Sequence, residues 1–390
     1  MKQKTTEQRG PLQPRGDRPG LVRGVGPLAV PFPNVEKIAV LRGGGLGDLM
    51  FALPAVEALA AAYPSASITL LGTALHAALL ANRPGPVQRV EVLPAAPGIA
   101  SGPEDPEAVE AFLARMQRER FDLAVQVHGG GRNSNPFLLR LGARHTVGTR
   151  TPDAAALERS IPYIYYQHEV FRALEVAGLA GAAPVSLDAQ LPVLAEEAAA
   201  ARALLLPDRN LVSLHPGATD PRRRWPASCF AEVAVRAVDR GCQVVVVGDD
   251  ADRGLAQEVV DRALAAAGPE VPVRSLAGEL GIGTLAALLQ ASAVMVGNDS
   301  GPRHLAQAVG AATVGIYWFG NVVNAGAMGR IRHRVHMSWV SECPTCKADV
   351  TQVGWTAERC EHDDSFVAEV RAAEVWADVD ELLGQARKAR

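Results

Sequence analysis

The chain has 390 residues, 48% hydrophobic and 21% charged, with a formal net charge of −3. That length accommodates two domains with separate cores. The near-neutral balance excludes the strongly basic face of a general nucleic-acid binder, and no apolar run approaches the roughly 20 residues needed to span a bilayer.

The N-terminus, MKQKTTEQRGPLQPRGDRPG, is polar and lacks the apolar centre of a secretory signal. Residues 1–34 are expected to be a disordered tail and the protein to be cytoplasmic. From Lys37 onward, strand-like and helix-like segments alternate. KIAVL (37–41), ITLLG (68–72), RVEVL (89–93), DLAVQVH (122–128) and TVGT (146–149) read as the strands of a first sheet, which TVGT is expected to close. LVSLH (211–215), QVVVVG (243–248), VRSLAG (273–278), AVMVG (293–297) and TVGIYW (313–318) read as a second. Strands alternating with helices predict parallel sheets with helical crossovers. The fold class is α/β, with Rossmann-like domains at 35–192 and 193–372 facing a central cleft. A C-terminal helix over 373–390 is expected to pack back on the first domain.

Four loops carry chemistry. The first strand runs into Arg42-Gly-Gly-Gly-Leu-Gly-Asp48, where the glycines, Gly45 and Gly47 among them, leave room for a ligand beside a helix start. A dinucleotide fingerprint fails: its third glycine position is Asp48, and no acidic residue follows the second strand. A phosphate-binding P-loop is excluded by the missing Gly-Lys-Ser/Thr. Asp48 reads as a helix cap, as a general base at the cleft, or as both. LVSLH ends in His215-Pro-Gly217-Ala-Thr219-Asp-Pro-Arg-Arg223-Arg-Trp-Pro226. Its arginines are either a solvated run or a diphosphate clamp, with Trp225-Pro226 anchoring the loop. Asp249-Asp250 follows the next strand, where an acidic residue either holds a ribose or caps the following helix. The Asn298-Asp299-Ser300-Gly301-Pro302-Arg303-His304 turn is the most informative. Ser300 is placed to cap a helix opened by Pro302, and the free amides of a helix start attract anions. Asp299 and His304 add groups suited to sugar hydroxyls and phosphates, with a turn residue and a core histidine as the alternative readings.

Two further features stand apart. His128, Arg132 and Asn133 lie in an HGGGRNSNP loop that reads as a glycine-rich surface turn, with acceptor contact as the alternative. Cys343-x2-Cys346 followed by Cys360-x-His362 offers four ligands, but the second pair departs from finger or ribbon spacing. Reduced thiols packing a loop are the preferred reading, a metal or redox-sensitive site the alternative, and no metal is assigned.

The ordered set VLRGGGLGDLMFALPAVEALAAAYP, LHPGATDPRRRWPASCFAEVA and SLAGELGIGTLAALLQASAVMVGNDSGPRHLAQAVG resembles glycosyltransferase family 9, the ADP-heptose:lipopolysaccharide heptosyltransferases and their relatives. The resemblance covers roughly residues 36–385. It implies a GT-B fold, with the acceptor on the first domain and the nucleotide sugar on the second. It also implies inverting transfer without a required metal or other cofactor. Asp48 matches the family's general base. Arg223 falls near a lysine that neutralises the leaving diphosphate. Asp299, Ser300, Gly301 and His304 match the donor motif, with Gly217, Thr219 and Asp250 completing the donor side. Gly45 and Gly47 lie in the acceptor-side loop.

The implied partners are an ADP-heptose-type donor and a cell-envelope glycan or glycolipid acceptor, with peripheral contact at the inner membrane face and no nucleic acid. The alternatives are a relative using another nucleotide sugar and a non-lipopolysaccharide acceptor, or a non-catalytic nucleotide-sugar-binding protein.

Overall fold

A computed structural model describes residues 25–351 and 358–388. The first half contains β1 (Lys37–Leu41), α1 (Leu46–Ala62), β2 (Ser67–Gly72), α2 (Ala74–Leu80), β3 (Val87–Val92), α3 (Pro106–Glu119), β4 (Leu123–Gln126), α4 (Ser134–Leu139), β5 (His145–Arg150) and β6 (Arg159–Pro162). After α5 (Glu169–Leu179) and α6 (Ala195–Ala203), the second half contains β7 (Leu211–His215), α7 (Ala227–Asp239), β8 (Gln243–Val246), α8 (Arg253–Ala267), β9 (Val273–Ser275), α9 (Ile282–Ala291), β10 (Ser292–Asn298), α10 (Gly301–Ala308), β11 (Thr313–Trp318), α11 (Phe319–Ala325), β12 (His333–Ser338) and α12 (Ala372–Lys388).

The two sheets share one topology. Their strand orders are β3-β2-β1-β4-β5-β6 and β12-β11-β10-β7-β8-β9, and neighbouring strands pair in parallel. Strand order reverses between β1 and β4 in the first sheet and between β7 and β10 in the second. In such sheets the crevice beyond the carboxyl ends of the central strands is where ligands bind. The loops RGGGLGD, HGGGRN, HPGATDP and DSGPR leave the carboxyl ends of those four strands. Ile38, Val40, Leu123 and Val125, and Val212, Leu214, Val294 and Val296, are fully buried, as expected of parallel strands covered on both faces.

The domains meet along α1 and α10, with Leu46, Leu49, Met50, Leu305, Ala306 and Val309 in one continuous core. A Cβ at Gly301 would lie 2.9 Å from Leu46 Cβ, so the helices approach closely there. Polar bonds reinforce the contact: His168 Nε2 lies 2.8 Å from Gly326 O, and Asn324 Nδ2 donates to Tyr165 O at 2.6 Å.

Three expectations change. Of the expected tail, residues 1–24 lie outside the described residues, while 25–34 lie against the first domain with Phe32 as their buried residue. Phe32 is buried, stacked on His145 at 4.1 Å and covered by the Arg159 guanidinium at 3.7 Å, while Ala29 N donates to Gly178 O at 2.9 Å. Phe32 is thus the buried anchor of an apolar, proline-rich segment. TVGT does not close the first sheet, because β6 follows as its edge. The final helix does not return to the first domain: Val375, Val379, Leu382 and Leu383 form an apolar stripe buried against α7, β10 and β11.

Phe32→Ala should lower the unfolding free energy of the first domain by about 3 kcal/mol, the usual cost of truncating a buried phenylalanine. Urea unfolding would check it, and an unchanged midpoint would show that the segment is not part of that core.

Candidate active site between the two sheets

Asp48 lies in the first turn of α1. One carboxylate oxygen accepts from Gly45 N at 2.8 Å, so the capping role is real. The other bonds Arg42, yet the Asp48 side chain is 44% exposed, so capping leaves the carboxylate open to the cleft. Arg42 is buried at the end of β1. Its guanidinium donates to Val127 O at 2.5 Å and reaches Glu169, at the start of α5, at 3.3 Å. Glu169 also pairs with Arg172. Two cations and two carboxylates therefore alternate behind the cleft and fix the orientation of Asp48.

Below this turn, Gly43 N donates to His128 Nδ1 at 3.1 Å, and His128 Nε2 lies 2.9 Å from Gly98 O. Those partners assign the neutral Nε2–H tautomer. Burial, and then the neighbouring Arg42, lower its pKa. His128 therefore braces the glycine turn. Arg132 is exposed and lies 3.5 Å from Asp153; Asn133 is exposed. A groove of about 820 Å³ runs from Gly44 and Gly45 past Thr73, Leu75 and Ile99 to His128. A second, about 510 Å³, lies between Gly129–Asn133 and Tyr163.

The second domain supplies the opposing wall. Asp299 is buried at the end of β10; its oxygens meet His304 Nε2 at 3.0 Å, Asn321 Nδ2 at 3.0 Å and Arg223 Nη1 at 3.4 Å. Burial would raise the Asp299 pKa, but the hydrogen bond from His304 and the charges around it outweigh that and hold it below its ordinary value. Arg303, itself buried, donates to His304 Nδ1 at 2.7 Å. Burial, then the Arg303 charge, push His304 down to about 4. It is thus a neutral imidazole that donates to Asp299.

Ser300 occupies the N-cap position of α10, but its side chain does not cap. Its hydroxyl instead lies 2.9 Å from His215 Nδ1, and His215 Nε2 lies 3.2 Å from Asp252. Any Cβ at Gly217 would collide with Asp252, so that turn follows the carboxylate closely.

The three arginines have different tasks. Arg222 is buried and forked onto Asp220, Arg224 Nε donates to Ala218 O at 2.9 Å, and Arg223 turns to Asp299. Trp225 anchors the segment as expected: its N donates to Asn298 Oδ1 at 3.0 Å and its indole to Val370 O at 2.8 Å. Asp250 is 85% exposed and pairs with Arg253 at 2.9 Å, because the 3-10 turn after β8 points Asp252 toward His215 instead. Thr219 is exposed, and no bond links Thr219 or Asp250 to the Asp299 group among the described residues.

The walls meet at His304. A Cβ at Gly47 would lie 3.1 Å from the His304 ring, and Phe51, one turn along α1, meets that ring edge-on at 4.5 Å. Asp48 is the next residue of α1 after Gly47, so the first turn that carries it is the one packed on the His304 ring. Sequence reasoning missed Glu169, Arg303, Asn321 and Asp252. Glu169 had no motif around it, whereas Arg303 and Asp252 lie within or beside the motifs and could have been weighed there.

Two nucleotide-binding-type sheets facing a cleft lined by acids, arginines and a helix start define a GT-B-type glycosyltransferase. Residues 109–351 match Glycosyltransferase family 9 (heptosyltransferase), and the chain belongs to that family. It is 26% identical over 299 residues to lipopolysaccharide heptosyltransferase 2 of Salmonella typhimurium, covering 72% of this chain and 82% of that protein. Its match to lipopolysaccharide heptosyltransferase 2 of Escherichia coli is 35% identical over 113 residues, 28% of this chain and 31% of that protein. The solved structure of E. coli ADP-heptose lps heptosyltransferase II superposes with a TM-score of 0.71 at 21% identity, covering 90% of this chain and 99% of that one.

Burial holds His76, His128, His168, His304 and His333 below their ordinary pKa, and together they set an acid limit. His304 and His333 are pushed furthest, to about 4, chiefly by burial, against about 6.5 for an unperturbed imidazole. Between those values the unfolded chain binds protons that the folded chain does not, so stability falls as pH drops from 6.5 toward 4. Urea midpoints at pH 7.5 and 5 should show this loss, and His304→Gln should make it shallower. An equally steep loss in that variant would remove His304 as a cause.

Proposed function

We propose that this family 9 enzyme is an inverting transferase. It moves a heptose-like sugar from an ADP-heptose-type donor to a hydroxyl of a cell-envelope glycan or glycolipid. The observation that carries the reading is the contact of Gly47, the residue before Asp48, with the ring of His304, which is itself bonded to Asp299, across the α1–α10 packing. It puts an exposed carboxylate from one domain beside an anion-attracting helix start from the other.

The donor diphosphate would lie at the start of α10, within reach of Arg223, whose side chain is 26% exposed. Asp299, with His304 and Asn321 holding its orientation, would bind sugar hydroxyls. Ser300, Gly301 and Gly217 would bring main-chain and hydroxyl groups to the phosphates, and Thr219 and Asp250 would contact the outer part of the nucleotide. The acceptor would enter along the groove below Gly44 and Gly45. Asp48 would take the proton of the acceptor hydroxyl as its oxygen forms a bond to the anomeric carbon. The bond from that carbon to the diphosphate oxygen breaks on the opposite face, and the released charge is met by Arg223 and the helix start. Inversion follows from the single displacement.

No helix among the described residues is long and apolar enough to cross a membrane. A lipid-linked acceptor would thus be met by a cytoplasmic enzyme at the inner membrane face.

Asp48→Asn should reduce turnover by about 10²–10⁴-fold, the usual range for a general base, while donor affinity changes only a few-fold. Unchanged turnover removes Asp48 as the base. Arg223→Ala should weaken both donor binding and turnover; an effect confined to the KM of the acceptor would contradict the clamp. A thermal-shift panel of ADP-, GDP- and UDP-sugars identifies the donor, since a ligand of the native state raises its melting temperature. A shift with UDP-sugars alone would overturn the ADP-heptose assignment.

A further inference from the structure

Cys343, Cys346, Cys360 and His362 lie in the second domain, and none of them is among the groups bonded to Asp48 or Asp299. The Cys343–Ala348 segment is a tight knuckle. Cys343 N donates to Ala348 O at 2.8 Å, Lys347 N donates to Cys343 O at 3.0 Å, and Lys347 takes a φ of 62°. The amides of Thr345 and Cys346 point at the Cys343 sulfur, and that of Ala348 at the Cys346 sulfur. The chain then returns so that three sulfurs and one imidazole nitrogen lie within 4.8 Å of one another. Ligand atoms around a tetrahedral zinc ion are about 3.3–3.8 Å apart, given bonds of about 2.0–2.3 Å, so a small contraction closes the shell. The three cysteines are free, and His362 Nδ1 is buried with no hydrogen-bond partner. Packed thiols alone would not explain an imidazole placed among three sulfurs with an unsatisfied nitrogen.

We propose that Cys343, Cys346, Cys360 and His362 form a closed tetrahedral site for one thiophilic transition-metal ion, zinc or iron(II). The ligand set is that of structural sites in which the protein fills every position. Three thiolates and a neutral imidazole around a divalent ion leave one negative charge. Arg222, already forked onto Asp220, is buried nearby, also lies in the field of Cys360 and Cys343, and has an Nη1 with no partner.

The site also fastens a neighbour. Just beyond His362, Ser365 Oγ donates to Arg224 O at 2.6 Å and Phe366 N donates to Arg222 O at 2.7 Å. The ion thereby anchors the strip of chain that runs along the arginine segment.

The test uses the full chain purified under reducing conditions. Elemental analysis should find about one zinc or iron ion per chain. Stripping with a chelator should lower the melting temperature by several degrees, and re-adding Zn²⁺ or Fe²⁺ in separate samples should restore it. Cys346→Ser and His362→Ala should each lose most of the metal, whereas Cys229→Ser should keep it. If those variants fail to fold, stripping and reconstitution of the unaltered chain still decides the matter. A metal-free protein that takes up neither ion overturns the site, as does metal retained by both variants. Metal that binds without moving the melting temperature overturns the anchoring role. None of these readouts depends on the identity of the sugar donor.

Discussion

The packing of the α1 start against the α10 start is the constraint on which the cleft depends. Each sheet alone offers a ligand-binding edge, but the edges face each other because Gly47 and Gly301 leave room for the His304 and Leu46 side chains of the opposing helix start. The positive ends of two helix dipoles are thereby brought into one crevice. Asp48 and Asp299 supply the compensating negative charge from opposite sides. An anionic ligand entering between them would meet amides and guanidinium groups from a preformed frame.

Each domain also buries an arginine behind its acid. Arg42 stands behind Asp48, and Arg303 stands behind the His304–Asp299 pair. Burying a guanidinium is costly unless its charge and hydrogen bonds are met. Arg42 is met by Glu169, Asp48 and a carbonyl; Arg303 lies over the Tyr317 ring at 5.0 Å and within 3.3 Å of Ala325 O. Such groups add little net stability, but they allow few orientations. The acid on each wall is accordingly fixed in direction.

Much of this was legible because parallel strands covered on both faces read as short apolar runs, as KIAVL and LVSLH do. The motif loops were legible for a related reason: they follow such runs and begin helices. The two strands that went unread, RSIP at β6 and HRVHMS at β12, are the edge strands at equivalent ends of the two sheets. Edge strands are half exposed and need no apolar run. Glu169 was illegible because its partner Arg42 is 127 residues away and no local pattern links them. Ser300 looked like a cap, but the fold offered its hydroxyl a better partner in His215. The direction of α12 was likewise unreadable: its apolar stripe says that it packs, not on which domain.

The bonds from residues 365–370 to the arginine segment have a consequence for synthesis. Trp225 and Arg222 find their partners in Val370 and Phe366, which are made long after β7 and α7. While the chain is still on the ribosome, the second sheet can assemble its central strands, but the Arg222–Trp225 loop lacks its backing. The second domain's wall of the cleft is therefore completed near the end of translation, and a chain cut short before Phe366 would carry every motif of the cleft without the strip that holds its arginines in place.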